Sequence, residues 1–347
     1  MFTNIRQVSV FLVFLLSLIG YSQEKFTISG TVKDSLSGET LIGVTIAILE
    51  LKTGTTTNEY GFYSLTLPKG EYTIWASYIG FSDYEQKISL NSNQKININL
   101  TESLQNLEEV VVTDNPNKIV LDKPEMSTHK INATTIKKMP AVLGETDLLK
   151  SILTLPGVTN AGEGQSGFNV RGGAADQNLV LLDEATLYNS SHLFGFFSVF
   201  NPDAVKDVKL FKGGIPSQYG GRVSSILDVK MKEGNAKKLE VNGGVGVIFS
   251  RLSIEAPIVK DKASFIVAAR RSYIDVLAKP FLTGNNANSK FSFYDLTAKV
   301  NYTINQKNTV FMSGYFGRDV FGTGFGFDWG NTTLTTRWNH VFSNKLF

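Results

Sequence analysis

Residues Leu148–Gly234 read LLKSILTLPGVTNAGEGQSGFNVRGGAADQNLVLLDEATLYNSSHLFGFFSVFNPDAVKDVKLFKGGIPSQYGGRVSSILDVKMKEG. Thr146–Leu153 has helical apolar spacing and stops at Leu155-Pro156-Gly157, where the proline cannot continue a helix. Leu179–Asp183 is a short continuous apolar run, which predicts a buried strand. Asn201-Pro202-Asp203 predicts the start of a second short helix, with Pro202 at the first helical position, where its missing N–H costs nothing. Helix, strand, helix and strand in this order predict a compact α+β unit over residues 114–234. Gly162, Gly164 and Gly167 match the spacing of a dinucleotide-binding loop. That loop works only between a strand and a helix whose N-terminus faces pyrophosphate, and here Phe168–Arg171 reads as a strand. The glycines are better explained as turn residues at positive φ.

Downstream the period changes to two. Tyr294, Leu296, Ala298, Val300, Tyr302 and Ile304 fall on one face, with Asp295, Thr297, Lys299, Asn301 and Thr303 opposite. Leu252, Ile254, Ala256 and Ile258 repeat the pattern against Arg251, Ser253 and Glu255, as do Leu334, Trp338 and Phe342 against Thr333, Thr335, Arg337 and Asn339. Apolar-out and polar-in alternation predicts membrane-barrel strands, with Tyr294 and Tyr302 at the interfacial girdles. A soluble antiparallel sandwich alternates too and is the alternative. Six strands are expected, near 238–247, 250–258, 263–275, 290–304, 309–320 and 331–342. The connections at 259–262, 305–308 and 343–345 are short and polar, while 277–289 and 321–330 are longer and Gly- or Asn-rich. That parity fits short periplasmic turns and longer external loops. It also accounts for the 17 aromatic residues from Phe265 onward, which suit a lipid-facing wall.

Upstream, residues 1–22 carry Arg6, an apolar core of about 13 residues and then Gly20 and Ser22, the pattern of a cleaved secretory signal. A spanning helix would need about 20 apolar residues. From Phe26 to Leu100, β-rich runs such as ISGTV, TIAILEL, FYSLTL and EYTIWASYIG alternate with turn signals at about ten-residue spacing, which predicts an all-β sandwich over residues 24–100. Tyr72, Ile74, Ala76 and Tyr78 share one face of its clearest strand and Trp75 takes the other. Leu107-Glu108-Glu109-Val110-Val111-Val112-Thr113 is a β-branched run ahead of the turn residues Asp114–Asn117. It is either the last strand of the sandwich or an extended segment that pairs with a partner's sheet edge.

Composition removes most chemistry. The chain has no cysteine, and His129, His192 and His340 are scattered, so disulfides, thiolate nucleophiles and histidine-rich metal centres are excluded. No cofactor and no metal is expected. The formal charge of +3 becomes +2 once Arg6 leaves with the signal, which gives no field for nucleic acid.

In combination and in order, FNVRGG, NLVLLDEATLY, FKGGIPSQYGGR and ILDVKMKEG resemble the plug of TonB-dependent outer-membrane receptors. The phrases ISGTVKDSLSGETLIGVTI and TTTNEYGFYSLTLPKGEYTIWASYIGF resemble the carboxypeptidase-regulatory-like domain, a transthyretin-type seven-strand sandwich that is not itself catalytic. The resemblance implies a mostly β protein with a sandwich, an α+β plug at 114–234 and a transmembrane antiparallel barrel beginning at 238–347. It implies that Leu107 to Thr113 form the segment read by TonB, and that cargo meets the loop carrying His192, Phe194, Phe196 and Phe197, although core packing explains the phenylalanines equally well. Arg171 and Arg222 are expected to pair with carboxylates on the barrel wall, a solvated position being the alternative. The expected function is TonB-energised import of a scarce nutrient such as an iron chelate, with surface reception or signalling without transport as the alternative. No enzyme activity is expected. The expected partners are TonB, outer-membrane lipid and a small cargo, with no nucleic acid, in a monomeric barrel whose sandwich is periplasmic. Such transporters have about 22 strands, so six predict a fragment of a longer chain.

Overall fold

The computed structural model describes residues 24–103, 127–132, 135, 146–162, 167–284, 289–323 and 325–347. Residues 25–100 form two packed sheets. The strands are β1 (Lys25–Asp34), β2 (Thr45–Ile48), β3 (Thr53–Thr56), β4 (Phe62–Pro68), β5 (Gly70–Ser77), β6 (Tyr84–Leu90), β7 (Gln94–Lys95) and β8 (Ile98–Leu100). One sheet runs β4-β1-β7, with β8 also on β1, and the other runs β3-β2-β5-β6. Ile28, Val32, Ile46, Ile74, Leu90 and Ile98 close a core between the two sheets, drawn wholly from this unit. Two packed sheets agree with the expected all-β class, with eight strands where the resemblance implied seven.

The plug follows: β9 (Thr128–Asn132), α1 (Leu148–Ile152), β10 (Val158–Asn160), β11 (Phe168–Val170), β12 (Asn178–Leu182), β13 (Ala185–Thr186), β14 (Ser191–His192), β15 (Phe197–Ser198), β16 (Val205–Phe211) and β17 (Ser225–Met231). Its main sheet has the order β13-β12-β17-β16-β9, with β12 and β17 parallel and the other neighbours antiparallel. Every residue of β17 is buried, as expected of a central strand covered on both faces. Asp147 caps α1: its side chain accepts the Lys150 amide at 3.1 Å and also the Ser198 amide at 2.7 Å, tying the helix to β15. The second helix expected at Pro202 does not form. Asn201 Oδ1 accepts the Asp203 amide at 3.0 Å in a tight turn, and β16 begins at Val205, because pairing on both its edges outweighs the local helix-start signal.

The remaining strands form one antiparallel sheet in chain order: β18 (Glu240–Val245), β19 (Phe249–Val259), β20 (Ala263–Ser272), β21 (Lys290–Asn305), β22 (Asn308–Thr323) and β23 (Phe325–His340). The turns at 260–262 and 306–307 are short, as the pattern required. Two boundaries differ from expectation. The strand predicted over 263–275 ends at Ser272 and gives way to α2 (Ile274–Ala278). The loop expected at 321–330 is paired strand, with Phe321 opposite Phe327 and Gly322 opposite Gly326, because the hairpin continues past its glycines. On β21 the faces are as read: Tyr294, Leu296, Val300, Tyr302 and Ile304 point to solvent, while Asp295, Thr297, Lys299 and Asn301 are buried under the plug. Gly234 carries the chain from plug to wall at φ +82°. A Cβ there would lie 2.3 Å from the Phe265 carbonyl oxygen, so only glycine allows the crossing. Among the described residues no helix is long and apolar enough to cross a membrane.

Candidate functional site

The inward side chains of β21 meet the plug one after another along the strand. At one end, Phe293 stacks on the His192 ring at 4.4 Å. His192 Nδ1 lies 2.8 Å from Asp319 and Nε2 lies 3.2 Å from Asp295, with the Tyr315 hydroxyl also 3.2 Å from Nε2. Arg270 donates to Asp295 from Nε at 2.8 Å and from a terminal nitrogen at 2.6 Å, and to the Ser198 carbonyl at 2.9 Å. The Leu193 amide donates to Asp319 at 2.8 Å. Both imidazole nitrogens face carboxylates, an arrangement that suits the doubly protonated ring. Burial alone would lower the His192 pKa, but the hydrogen bonds and charges of Asp295 and Asp319 outweigh it and raise the pKa.

Toward the middle of β21, Lys299 pairs with Asp183 at 2.8 Å and donates to the Met231 carbonyl at 3.0 Å, while Asp183 accepts the Met231 amide at 2.9 Å. Asp183 and Glu184 both have positive φ, +45° and +74°, so the tight turn from β12 into β13 puts two carboxylates side by side. Burial pushes the Asp183 carboxyl up, and the Lys299 ammonium pulls it further down, so it stays ionised. Glu184 meets Arg337 at 2.8 Å and Lys230 at 3.3 Å. Nearby, Asp203 meets Arg251 at 3.3 Å. At the far end Asn301 donates to the Glu233 carbonyl at 2.7 Å.

The sequence expectations for individual residues fare unevenly. His192 and Phe197 are not on a cargo-facing surface. Both are buried, Phe197 against Phe249 and Phe293, because the loop folds back onto the wall and its polar atoms find carboxylates there. Phe194 and Phe196 are exposed, and Phe194 rests among Phe321, Phe327 and Trp329. Among the described residues Arg171 and Arg222 make no ion pair with the wall. Arg171, at φ +49°, donates to Ser127 at 2.8 Å, and Arg222 donates to the Gly221 carbonyl; both are solvated. At three of the contacts the charges are reversed, since Asp183, Glu184 and Asp203 of the plug meet cations of the wall. The segment from Leu107 to Thr113 lies outside the described residues. Among the described residues no group of three or more His, Asp or Glu could hold a metal ion. The arrangement can hold one domain against an amphipathic wall through buried charges.

Comparison with known proteins identifies both units upstream of the wall. A family profile described as a CarboxypepD_reg-like domain matches residues 28–112, and one described as a TonB-dependent Receptor Plug Domain matches residues 122–225. The first runs through most of the 107–113 segment. TonB-dependent receptor P3 of Formosa agariphila is 25% identical over 307 residues, which is 82% of this chain and 29% of that protein. The chain therefore spans less than a third of that relative's length. Similar solved structures include the ferric enterobactin receptor of Pseudomonas aeruginosa, with a TM-score of 0.45 at 17% identity over 62% of this chain and 38% of that one. The siderophore receptor PirA of Pseudomonas aeruginosa aligns with a TM-score of 0.46 at 16% identity, with the same shares covered. The chain therefore carries a CarboxypepD_reg-like domain followed by a TonB-dependent receptor plug domain, and over most of its length it is similar to a TonB-dependent receptor.

Proposed function

We propose that the protein is an outer-membrane receptor that imports a small, scarce nutrient such as an iron chelate, with energy transmitted by TonB. The observation that carries this reading is a plug held by the buried pairs of His192 with Asp295 and Asp319 and of Asp183 with Lys299 to the polar face of a sheet whose other face is apolar. That outer face suits outer-membrane lipid, and the plug suits a closed resting path. In this reading TonB pairs by edge addition with residues 107–113, where several main-chain bonds bear a pull that one side-chain contact could not. Cargo is met by the exposed rings of Phe194 and Phe196. The sandwich faces the periplasm, the barrel is monomeric, and no bond in the cargo is made or broken. An external pull is required because cargo binding alone shifts the plug only by its differential affinity for the two states.

The test uses the full-length receptor in energised cells with radiolabelled ferric chelates. Val111→Pro removes one main-chain donor and the extended pairing around it. The expected result is loss of uptake with surface binding of the chelate unchanged. Uptake that persists in Val111→Pro would remove the TonB assignment from this segment. Chelate-dependent signalling without uptake in the unaltered receptor would favour the non-transporting alternative.

A further inference from the structure

The contact between sandwich and plug is unlike the contact between plug and wall. The sandwich core draws only on residues 28–100, whereas the plug core takes in Tyr315 of the wall. Sandwich and plug meet instead through charged points. Glu39 accepts the Glu233 amide at 2.8 Å and meets Lys206 at 3.3 Å, and Lys206 also meets Glu233 at 3.1 Å. The Thr40 hydroxyl donates to Glu233 at 2.6 Å. Glu59 holds two plug lysines at once, Lys209 on β16 at 3.1 Å and Lys230 on β17 at 3.3 Å. Next to it, Tyr60 lies under the Arg337 guanidinium at 4.7 Å, and Arg337 belongs to the wall and pairs with Glu184 of the plug. Sandwich, plug and wall therefore converge at one ionic junction. Cavities of about 350 and 400 Å³ flank these contacts, the first between Leu41, Tyr78 and Lys206, the second between Thr40, Asn301 and Lys307.

An interface of ion pairs between solvent-sized cavities, with no shared apolar core, can open without exposing a core. We propose that the sandwich is a releasable clasp: Glu39 and Glu59 hold plug strands β16 and β17 seated against the wall, and the plug stays seated until these ion pairs open. Glu59 is a positioning residue, acting through Lys209 and Lys230. The consequence for transport rests on the function proposed above. In chain order residues 107–113 stand between β8 of the sandwich and β9 of the plug, so a pull there loads both units. The clasp, being the more weakly held, yields first.

The test reads plug opening directly and needs no cargo. Hydrogen exchange by mass spectrometry is compared between the full-length receptor and its Glu39→Gln/Glu59→Gln variant. The expected result is exchange at least tenfold faster in residues 205–211 and 225–231, with residues 25–34 and 70–77 unchanged. Unchanged exchange in 205–211 and 225–231 would overturn the proposal. Should the variant loosen the sandwich itself, carbodiimide coupling of the Glu59 carboxyl to the Lys209 amine, which stand 3.1 Å apart, decides. An amide link at that junction, located by peptide mass, should slow exchange in the plug strands below that of the unlinked receptor. Plug exchange indifferent to the crosslink would also overturn the proposal. A receptor that proves not to transport leaves both readouts intact, so failure of the clasp and failure of the transport reading are told apart.

Discussion

The contacts at the two ends of the plug differ in kind, with the Asp183–Lys299 pair between them. At the His192 end, charges from plug and wall are sealed away from water, and the plug shares apolar packing with the wall through Phe197, Phe249 and Phe293. At the sandwich end, the ion pairs of Glu59 are partly open to solvent, and among the described residues no buried apolar cluster spans sandwich and plug. Charges sealed from water are costly to strand, whereas pairs that water can reach are rehydrated when they part and are screened by salt. One end is therefore built to persist and the other to let go.

The comparison breaks most severely at Asp295. Asp295→Ala leaves both Arg270 and His192 facing a missing carboxylate, and losing one partner of a buried pair costs about 3–5 kcal/mol. We expect the melting temperature of the purified receptor to fall by several degrees. A shift no larger than that of Glu59→Gln would erase the distinction between the two ends.

His192 sharpens the contrast through pH. The groups facing it are Asp295, Asp319 and the Tyr315 hydroxyl, with Arg270 beyond Asp295. Its folded pKa is raised above the unfolded value of about 6.5, so its contribution to stability is fully present below that pH and is lost as pH rises through the folded pKa. Exchange of residues 191–198, corrected for intrinsic rate, should be slowest in mild acid and accelerate toward alkaline pH. His192→Phe keeps a ring on Phe293 but removes the charge, leaves buried acceptors unmet at a cost of about 1–3 kcal/mol, and should flatten this dependence. A pH profile that survives His192→Phe would assign the titration elsewhere.

Salt separates the ends at smaller amplitude. Raising ionic strength from about 0.05 to 0.5 M shortens the screening length several-fold. The sandwich-end pairs, less deeply buried than His192, should loosen, speeding exchange in residues 205–211, while residues 191–198 stay unaffected. Equal responses at both ends would show that the sandwich pairs are as well sealed as His192.

The sequence carried the wall well, because a strand with one wet and one covered face writes its burial into every second residue, as Tyr294 to Ile304 do. The hairpin tip escaped notice because Gly322, Gly326 and Gly330 look like loop residues, yet pairing across Phe321 and Phe327 extends both strands. His192 was found but misplaced. Its partners lie 103 and 127 positions downstream, and no local spacing says that a histidine flanked by Ser191 and Leu193 will meet two buried aspartates. Asp183 and Lys299 were each visible, one closing a buried strand and one on the polar face, but their pairing depends on how plug and wall dock.

The smallest effect concerns the two plug arginines that the sequence had matched with wall carboxylates. Arg171 holds Ser127 beside the start of β9, and Arg222 holds only a neighbouring carbonyl, both in solvent. A guanidinium in water gains little from such contacts, and surface substitutions away from caps and cores rarely shift stability. Arg171→Ala and Arg222→Ala should therefore leave the melting temperature and the exchange of residues 191–198 and 205–211 unchanged. Glycine at position 171 should do no harm either, since its φ of +49° suits glycine better than arginine. Loosening of either anchored end in Arg171→Ala would mean that the plug is held from a third side, and a two-ended account of its seating would then be too simple.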